Sequence, residues 1–116
     1  MQLYLQKGNY GNHQYFSAQT FDEFNNCHYC AEGNRRGLGF DKPQPAGTAG
    51  PTCGCVSPLS FGHTGFTGTI AWADPETEIV YVFLSNRTFP ESTVNNLSKE
   101  NIREDIQKII QQAIIK

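Results

Sequence analysis

With 116 residues, 38% hydrophobic and 12% aromatic, the chain can form one small domain, 1–116, and is too apolar for a disordered segment. Its formal charge of -2 comes from acids and bases spread along the sequence, which leaves neither a basic stripe for nucleic acid nor an acidic tail. No apolar run approaches the roughly 18 residues that would span a bilayer, and no charged-then-apolar leader opens the sequence.

Leu3 to Lys7 read as the last turn of a helix stopped by Gly8, and Asn9 to Asn12 as a turn. His13 to Phe16 is a candidate short strand. Ser17 is placed to cap a helix over Ala18 to Phe24, with Phe21 and Phe24 three apart on one face. Cys27 to Asn34 is polar and irregular, and Arg36 to Phe40 reads as a glycine-containing strand ended by Asp41-Lys42-Pro43. Pro43 to Pro58 holds four of the six prolines and forms a long loop, a length that usually goes with function or mobility.

Three strands follow: Ser60 to His63, Gly68 to Ala73 and Glu78 to Leu84. The short Asp74 to Thr77 connection makes the last two an antiparallel hairpin. Ile79 to Leu84 is apolar throughout, as expected of a central strand buried on both faces. A helix from Lys99 to Ile115, capped by Ser98, closes the chain. Ile102, Ile106, Ile109, Ile110, Ala113 and Ile114 form one apolar stripe on it, expected to lie on the sheet. The fold class is α+β: a small antiparallel sheet of three to four strands with a long C-terminal helix packed on it.

Four cysteines fall in two close pairs, Cys27/Cys30 and Cys53/Cys55. Four thiolates could hold zinc tetrahedrally, the only cofactor the sequence suggests. Against zinc, the spacing of the second pair is tight and the strand expected over Arg36 to Phe40 separates the pairs. A disulfide between the two loops, or free thiols, are the other readings.

The segment Ser60-Phe61-Gly62-His63-Thr64-Gly65-Phe66-Thr67-Gly68 carries the chemistry. Three glycines on or beside a strand let another backbone approach closely, either a ligand or a packed neighbour. Gly37-Leu38-Gly39-Phe40, this segment, Asp74-Pro75, the strand ending Leu84-Ser85-Asn86-Arg87 and the closing helix together resemble the C-terminal region of the serine beta-lactamase-like superfamily. That superfamily includes class C beta-lactamases, D-Ala-D-Ala carboxypeptidases and related esterases. Arg35 to Pro43 resembles secreted or envelope-bound members from Bacteroidetes-type bacteria.

The resemblance implies a partial beta-lactamase-like fold and matches His63-Thr64-Gly65 to the family's third motif, Lys-Thr-Gly or His-Thr-Gly. His63 would then supply charge or a hydrogen bond near the nucleophile, and Thr64 would bind a substrate carboxylate. Gly65 would leave room along the strand, and the Phe66 N–H would be one of two oxyanion donors. Such a donor is worth on the order of 3 kcal/mol in the transition state.

None of Ser17, Ser57, Ser60, Ser85, Ser92 or Ser98 is followed three residues later by lysine, so the Ser-x-x-Lys nucleophile is not in this sequence. Tyr10-Gly11-Asn12 matches the family's Tyr-x-Asn in form only, because it lies in a turn and too close to the third motif. The expected function is that of an inactive C-terminal fragment whose partner is the N-terminal part of a parent hydrolase, in the periplasm or envelope by resemblance. Alternatives are a stand-alone peptide or cell-wall binding module and a cysteine-rich zinc module. Without the N-terminal strands and helix of the resembled fold, an open sheet edge and an apolar face should remain, which predicts self-association.

Overall fold

The computed structural model describes residues 1–114, in which a three-stranded antiparallel sheet occupies the centre. Its strands are β3 (Phe61–Thr64), β4 (Ile70–Asp74) and β5 (Ile79–Phe83), in that spatial order, with Gly62 opposite Trp72 and Trp72 opposite Tyr81. β4 is central because its side chains suit two covered faces. Ile70 and Trp72 point one way, and the small Ala71 and Ala73 point the other. Before the sheet come α1 (Gln2–Leu5), the hairpin β1 (Asn9–Tyr10) and β2 (His13–Gln14), and α2 (Ala18–Asn25). After it come α3 (Asn96–Lys99) and α4 (Ile102–Gln112).

Each local element has an identifiable cause. Ser17 Oγ accepts the Thr20 N–H at 3.1 Å, which satisfies one of the free donors at the start of α2. Gly11 and Asn12, with φ of 58° and 61°, form the two-residue turn between β1 and β2, so Tyr10-Gly11-Asn12 is a hairpin turn.

One face of the sheet is covered near its start by an aromatic cluster. Tyr4 of α1 has its ring centroid 4.7 Å from Phe61, 4.8 Å from Phe21 and 5.0 Å from Phe40. The opposite face packs Ile70, Trp72 and Tyr81 against Val56, Ile79, Phe83 and Ile110 of α4.

Several sequence expectations are corrected here. The strand expected over Arg36 to Phe40 is a tight loop. The Gly37 N–H donates to the Phe40 carbonyl, the Leu38 N–H donates to the Phe24 carbonyl, and Arg36 bridges to Asp41. Of Phe21 and Phe24, only Phe21 is buried. β5 lies at an edge of the sheet rather than at its centre. Ile79, Tyr81 and Phe83 face α4, whereas Val80, Val82 and Leu84 are exposed on the other side, Leu84 at 79%. The run is apolar on both faces, but only one is covered.

The C-terminal helix also differs. It breaks into α3 and α4 at Asn101, which has φ 51°. Asn95 caps α3, and Ser98 lies inside α3 instead of capping it. Arg103, Gln107 and Ile110 form the sheet-facing stripe of α4; of the isoleucine stripe, Ile110 packs on the sheet, whereas Ile106 and Ile109 turn outward, Ile109 at 66% exposed. Polar residues face inward here because each finds a partner. Gln107 Oε1 accepts the Cys53 N–H at 2.9 Å, and the Tyr81 hydroxyl donates to the Arg103 carbonyl at 3.0 Å. Ile115, where the sequence-derived helix ends, lies outside the described residues.

The four cysteines form two local disulfides, Cys27–Cys30 and Cys53–Cys55, and do not join the loops to each other. Disulfide sulfurs have no thiolate to offer zinc, so the four-cysteine metal site is not formed in this structure.

Lys42 ties the loops to α2. Its ammonium donates to Asn25 Oδ1 at 2.9 Å and to the Leu59 carbonyl at 3.1 Å, with the residue only 6% exposed. Burial lowers its pKa from 10.5 to about 8, partly opposed by the Asp74 carboxylate. The folded pKa is below the unfolded one, so the unfolded chain binds more protons in this window. The Lys42 contribution to stability must therefore rise from about pH 8 upward. A neutral amine keeps two N–H donors, enough for both acceptors. Between about pH 8 and 9.5, below the range where tyrosines titrate, the wild-type unfolding midpoint should rise relative to Lys42→Met. Parallel curves for the two proteins would remove the Lys42 assignment.

Candidate functional site

The glycine-rich segment forms β3 and the turn that follows it. β3 pairs with β4 on its inner side, and on its outer side Asp41 exchanges two backbone bonds with Gly62, at 2.8 and 3.0 Å. Gly62 thus points its N–H and carbonyl outward. Strand alternation then gives His63 an inward-pointing backbone and Thr64 an outward-pointing one. The Gly65 N–H turns in again, to the Thr69 carbonyl at 2.8 Å. Beyond Gly62, no strand or bridge covers the outer edge among the described residues.

The four residues singled out in the sequence do not converge as one cluster. Gly62 lies on the Trp72 face, where an added Cβ would meet the indole. Alternation therefore puts the His63 side chain on the opposite face, with Phe61 and Ala71, and Thr64 on the Trp72 face. His63 is exposed and its ring has no hydrogen-bond partner among the described residues. Its face is the one left uncovered beside Val80 and Val82. What His63, Thr64, Gly65 and Phe66 share is the open edge.

The turn is fixed through its carbonyls. The Gly68 N–H donates to the Gly65 carbonyl at 2.9 Å, and Gly68, at φ 90°, takes the left-handed conformation that glycine tolerates best. The Thr67 carbonyl accepts from the Arg87 N–H at 3.0 Å and from Ser85 Oγ at 2.9 Å. The Phe66 N–H has no acceptor among the described residues. The Phe66 ring is 74% exposed, and the Arg87 guanidinium carbon stands 4.7 Å from its centroid.

Several residues around this edge lie outside the sequence-derived site. Asp41, 3% exposed, is held by Arg35 at 3.3 Å and Arg36 at 3.0 Å while its backbone closes the first half of β3. The two arginines thus close a loop. Ser85 and Arg87 belong to a segment already quoted for its resemblance, and their proximity to Thr67 depends on the β4–β5 hairpin folding back. His13 and His28 lie elsewhere: His13 packs edge-on to Tyr15, and a ring nitrogen of His28 is 2.9 Å from the Glu23 carbonyl.

Comparison with known proteins finds relatives of this chain. A protein named "Putative D-alanyl-D-alanine carboxypeptidase" from Escherichia coli O157:H7 is 39% identical over 100 residues, which is 85% of this chain and 22% of that protein. The protein of the same name from Escherichia coli strain K12 is 38% identical over the same shares. That from Salmonella enteritidis PT4 is 38% identical over 97 residues, 83% of this chain and 21% of its own length. The chain thus spans about a fifth of the length of these relatives. The model of the family described as beta-lactamase matches residues 12–102. Since that match runs from the β1–β2 turn through the whole sheet to the start of α4, the chain belongs to the beta-lactamase family.

Proposed function

We propose that these residues are the C-terminal part of a beta-lactamase-like serine hydrolase and supply the substrate edge of its site without its nucleophile. The observation that carries this reading is the open outer edge from Thr64 to Phe66, with an unpaired Phe66 N–H on a turn whose carbonyls are held. An extended substrate can add to such an edge through its backbone. When a serine from the missing polypeptide attacks the substrate carbonyl, negative charge develops on that oxygen, and a pre-set N–H such as that of Phe66 stabilises it. Thr64 would hydrogen-bond the substrate carboxylate. His63, on the uncovered face, would contact the nucleophile's surroundings.

The same polypeptide would cover Val80, Val82 and Leu84, extend the sheet beyond β5 and lie along Ile106 and Ile109. In its absence, copies of this chain would cover the surface for one another. A substrate ending in D-Ala-D-Ala, a beta-lactam or an ester fits the reading, and the names of the relatives favour the first. Two disulfides suit an oxidising compartment such as the periplasm.

A fluorescent penicillin tests the proposal. It is expected to leave the 116-residue chain unlabelled and to label the longer polypeptide covalently. Labelling or acyl-substrate turnover by the short chain would overturn it. Saturable binding of a peptidoglycan peptide by the short chain alone would favour a stand-alone binding module.

A further inference from the structure

The sheet-facing stripe of α4 contains a residue that an apolar stripe would not select. Arg103 is 8% exposed, at a position where leucine or isoleucine would fill the space at lower desolvation cost. Its guanidinium Nη1 donates to the Gly68 carbonyl at 3.2 Å. Nη2 donates to Ser98 Oγ at 3.3 Å and to Glu104 Oε1 at 3.4 Å. Glu104 faces it from the next position on α4, and Tyr81 reaches the Arg103 carbonyl from β5.

The Gly68 carbonyl is the last of three in the β3–β4 turn held from outside Phe66. Gly65 is held by Gly68, Thr67 by Ser85 and Arg87, and Gly68 by Arg103. Gly68 itself sits close against its neighbours, and a Cβ there would meet Leu97 and Ser85. The turn therefore rests on α3 and α4 on one side and on the end of β5 on the other. Among the described residues, the Phe66, Thr67 and Thr69 N–H groups of the turn have no acceptor.

We infer that Arg103 is a positioning residue that couples the C-terminal helix to the turn presenting the Phe66 N–H. The use of that N–H in catalysis rests on the hydrolase reading above; the coupling rests on the hydrogen bonds alone. A buried guanidinium bonded to a carbonyl is a charge-assisted contact, stronger and more directional than packing. Its loss should free the Gly68 carbonyl and let the peptide planes of the turn rotate, which moves the Phe66 N–H without melting the sheet.

The test uses the 116-residue chain labelled with nitrogen-15. In Arg103→Met, amide exchange at Gly65 and Gly68 is expected to accelerate about tenfold more than at the amides of β4, and the Phe66 resonance to shift. Arg103→Lys, which keeps the charge and a donor, should restore most of the protection. Tyr81→Phe loosens α4 without touching Gly68 and should leave the ratio of turn to β4 exchange unchanged. If Arg103→Met accelerates the turn and β4 equally, or Tyr81→Phe reproduces its pattern, the inference falls.

Should the methionine variant fail to fold, Arg103→Gln carries the comparison. Its shorter, uncharged side chain gives up the charge-assisted bond to Gly68, so exchange at Gly65 and Gly68 must still accelerate more than in β4, and unchanged exchange over 65–69 overturns the coupling. Failure of penicillin labelling in the longer polypeptide would remove the catalytic use of the N–H and leave the coupling standing. Normal labelling with an uncoupled turn would remove the role of Arg103 alone.

Discussion

Gly62→Ala should destabilise the chain by about 3 kcal/mol, the upper range for forcing one methyl into a packed interior, and lower its thermal midpoint by roughly 10–15 °C. The added Cβ would fall inside the contact radius of both the Trp72 indole and the Ala71 carbonyl. Neither can yield easily. Trp72 is 1% exposed and its Nε1–H is held by Ser60 Oγ at 3.0 Å, while the Ala71 carbonyl belongs to the central strand. Displacing β3 instead would break its two backbone bonds with Asp41. In the double variant Gly62→Ala/Trp72→Leu the indole is gone, so the two changes should destabilise by less than their sum. Thermal melts of the four proteins read this directly. An unchanged midpoint for Gly62→Ala alone would contradict the packing described.

How far the sequence reveals this structure depends on which interactions are local. Ser17 and its helix, the Asp74 to Thr77 hairpin and the β3–β4–β5 order follow from capping, turn chemistry and alternation within a few residues. The glycine-rich strand was legible as a strand through the order of its neighbours. α4 was not legible in orientation. A stripe of isoleucines predicts the buried face only when no polar neighbour has a partner inside, and Gln107 finds the Cys53 N–H 54 positions away. Arg103 is the same case, with its acceptors on Gly68 and Ser98.

β5 misleads for a different reason. Its composition is suited to two covered faces, and the structure covers one. The pattern of a strand therefore reports on the protein in which it packs, which can be larger than the chain at hand. The cysteines show another limit. Pairing within C-x-x-C and C-x-C depends on the local loop path, and spacing alone left zinc, disulfide and free thiol all open. The loop at Arg36 to Phe40 fails as a strand because Asp41 holds both arginines and turns the chain back toward β3.

Asp74 anchors the return of the long proline-rich loop to the sheet, and its removal should be as damaging as the methyl at Gly62. It ends β4 and is 2% exposed. Oδ2 accepts the Ser57 N–H at 2.8 Å, and Oδ1 accepts the Ser57 hydroxyl and the Glu76 N–H, the latter at 3.0 Å. Asp74→Ala strands three donors at once, two of them backbone. At roughly 1–3 kcal/mol for a buried donor left unpaired, and with some access to water after relaxation, a loss of about 3 kcal/mol is expected. Asp74→Asn keeps one acceptor oxygen but sets an amide N–H against donors, and should fall between alanine and wild type. It also removes the negative charge that raises the Lys42 pKa. The folded pKa of Lys42 should then drop below about 8, and the rise in stability with pH should begin at a lower pH than in the wild type. Unfolding midpoints of Asp74→Asn and wild type across that range test both claims together. If the onset stays in place while the stability falls, Asp74 acts only as an anchor for Ser57 and Glu76, and its field does not reach Lys42.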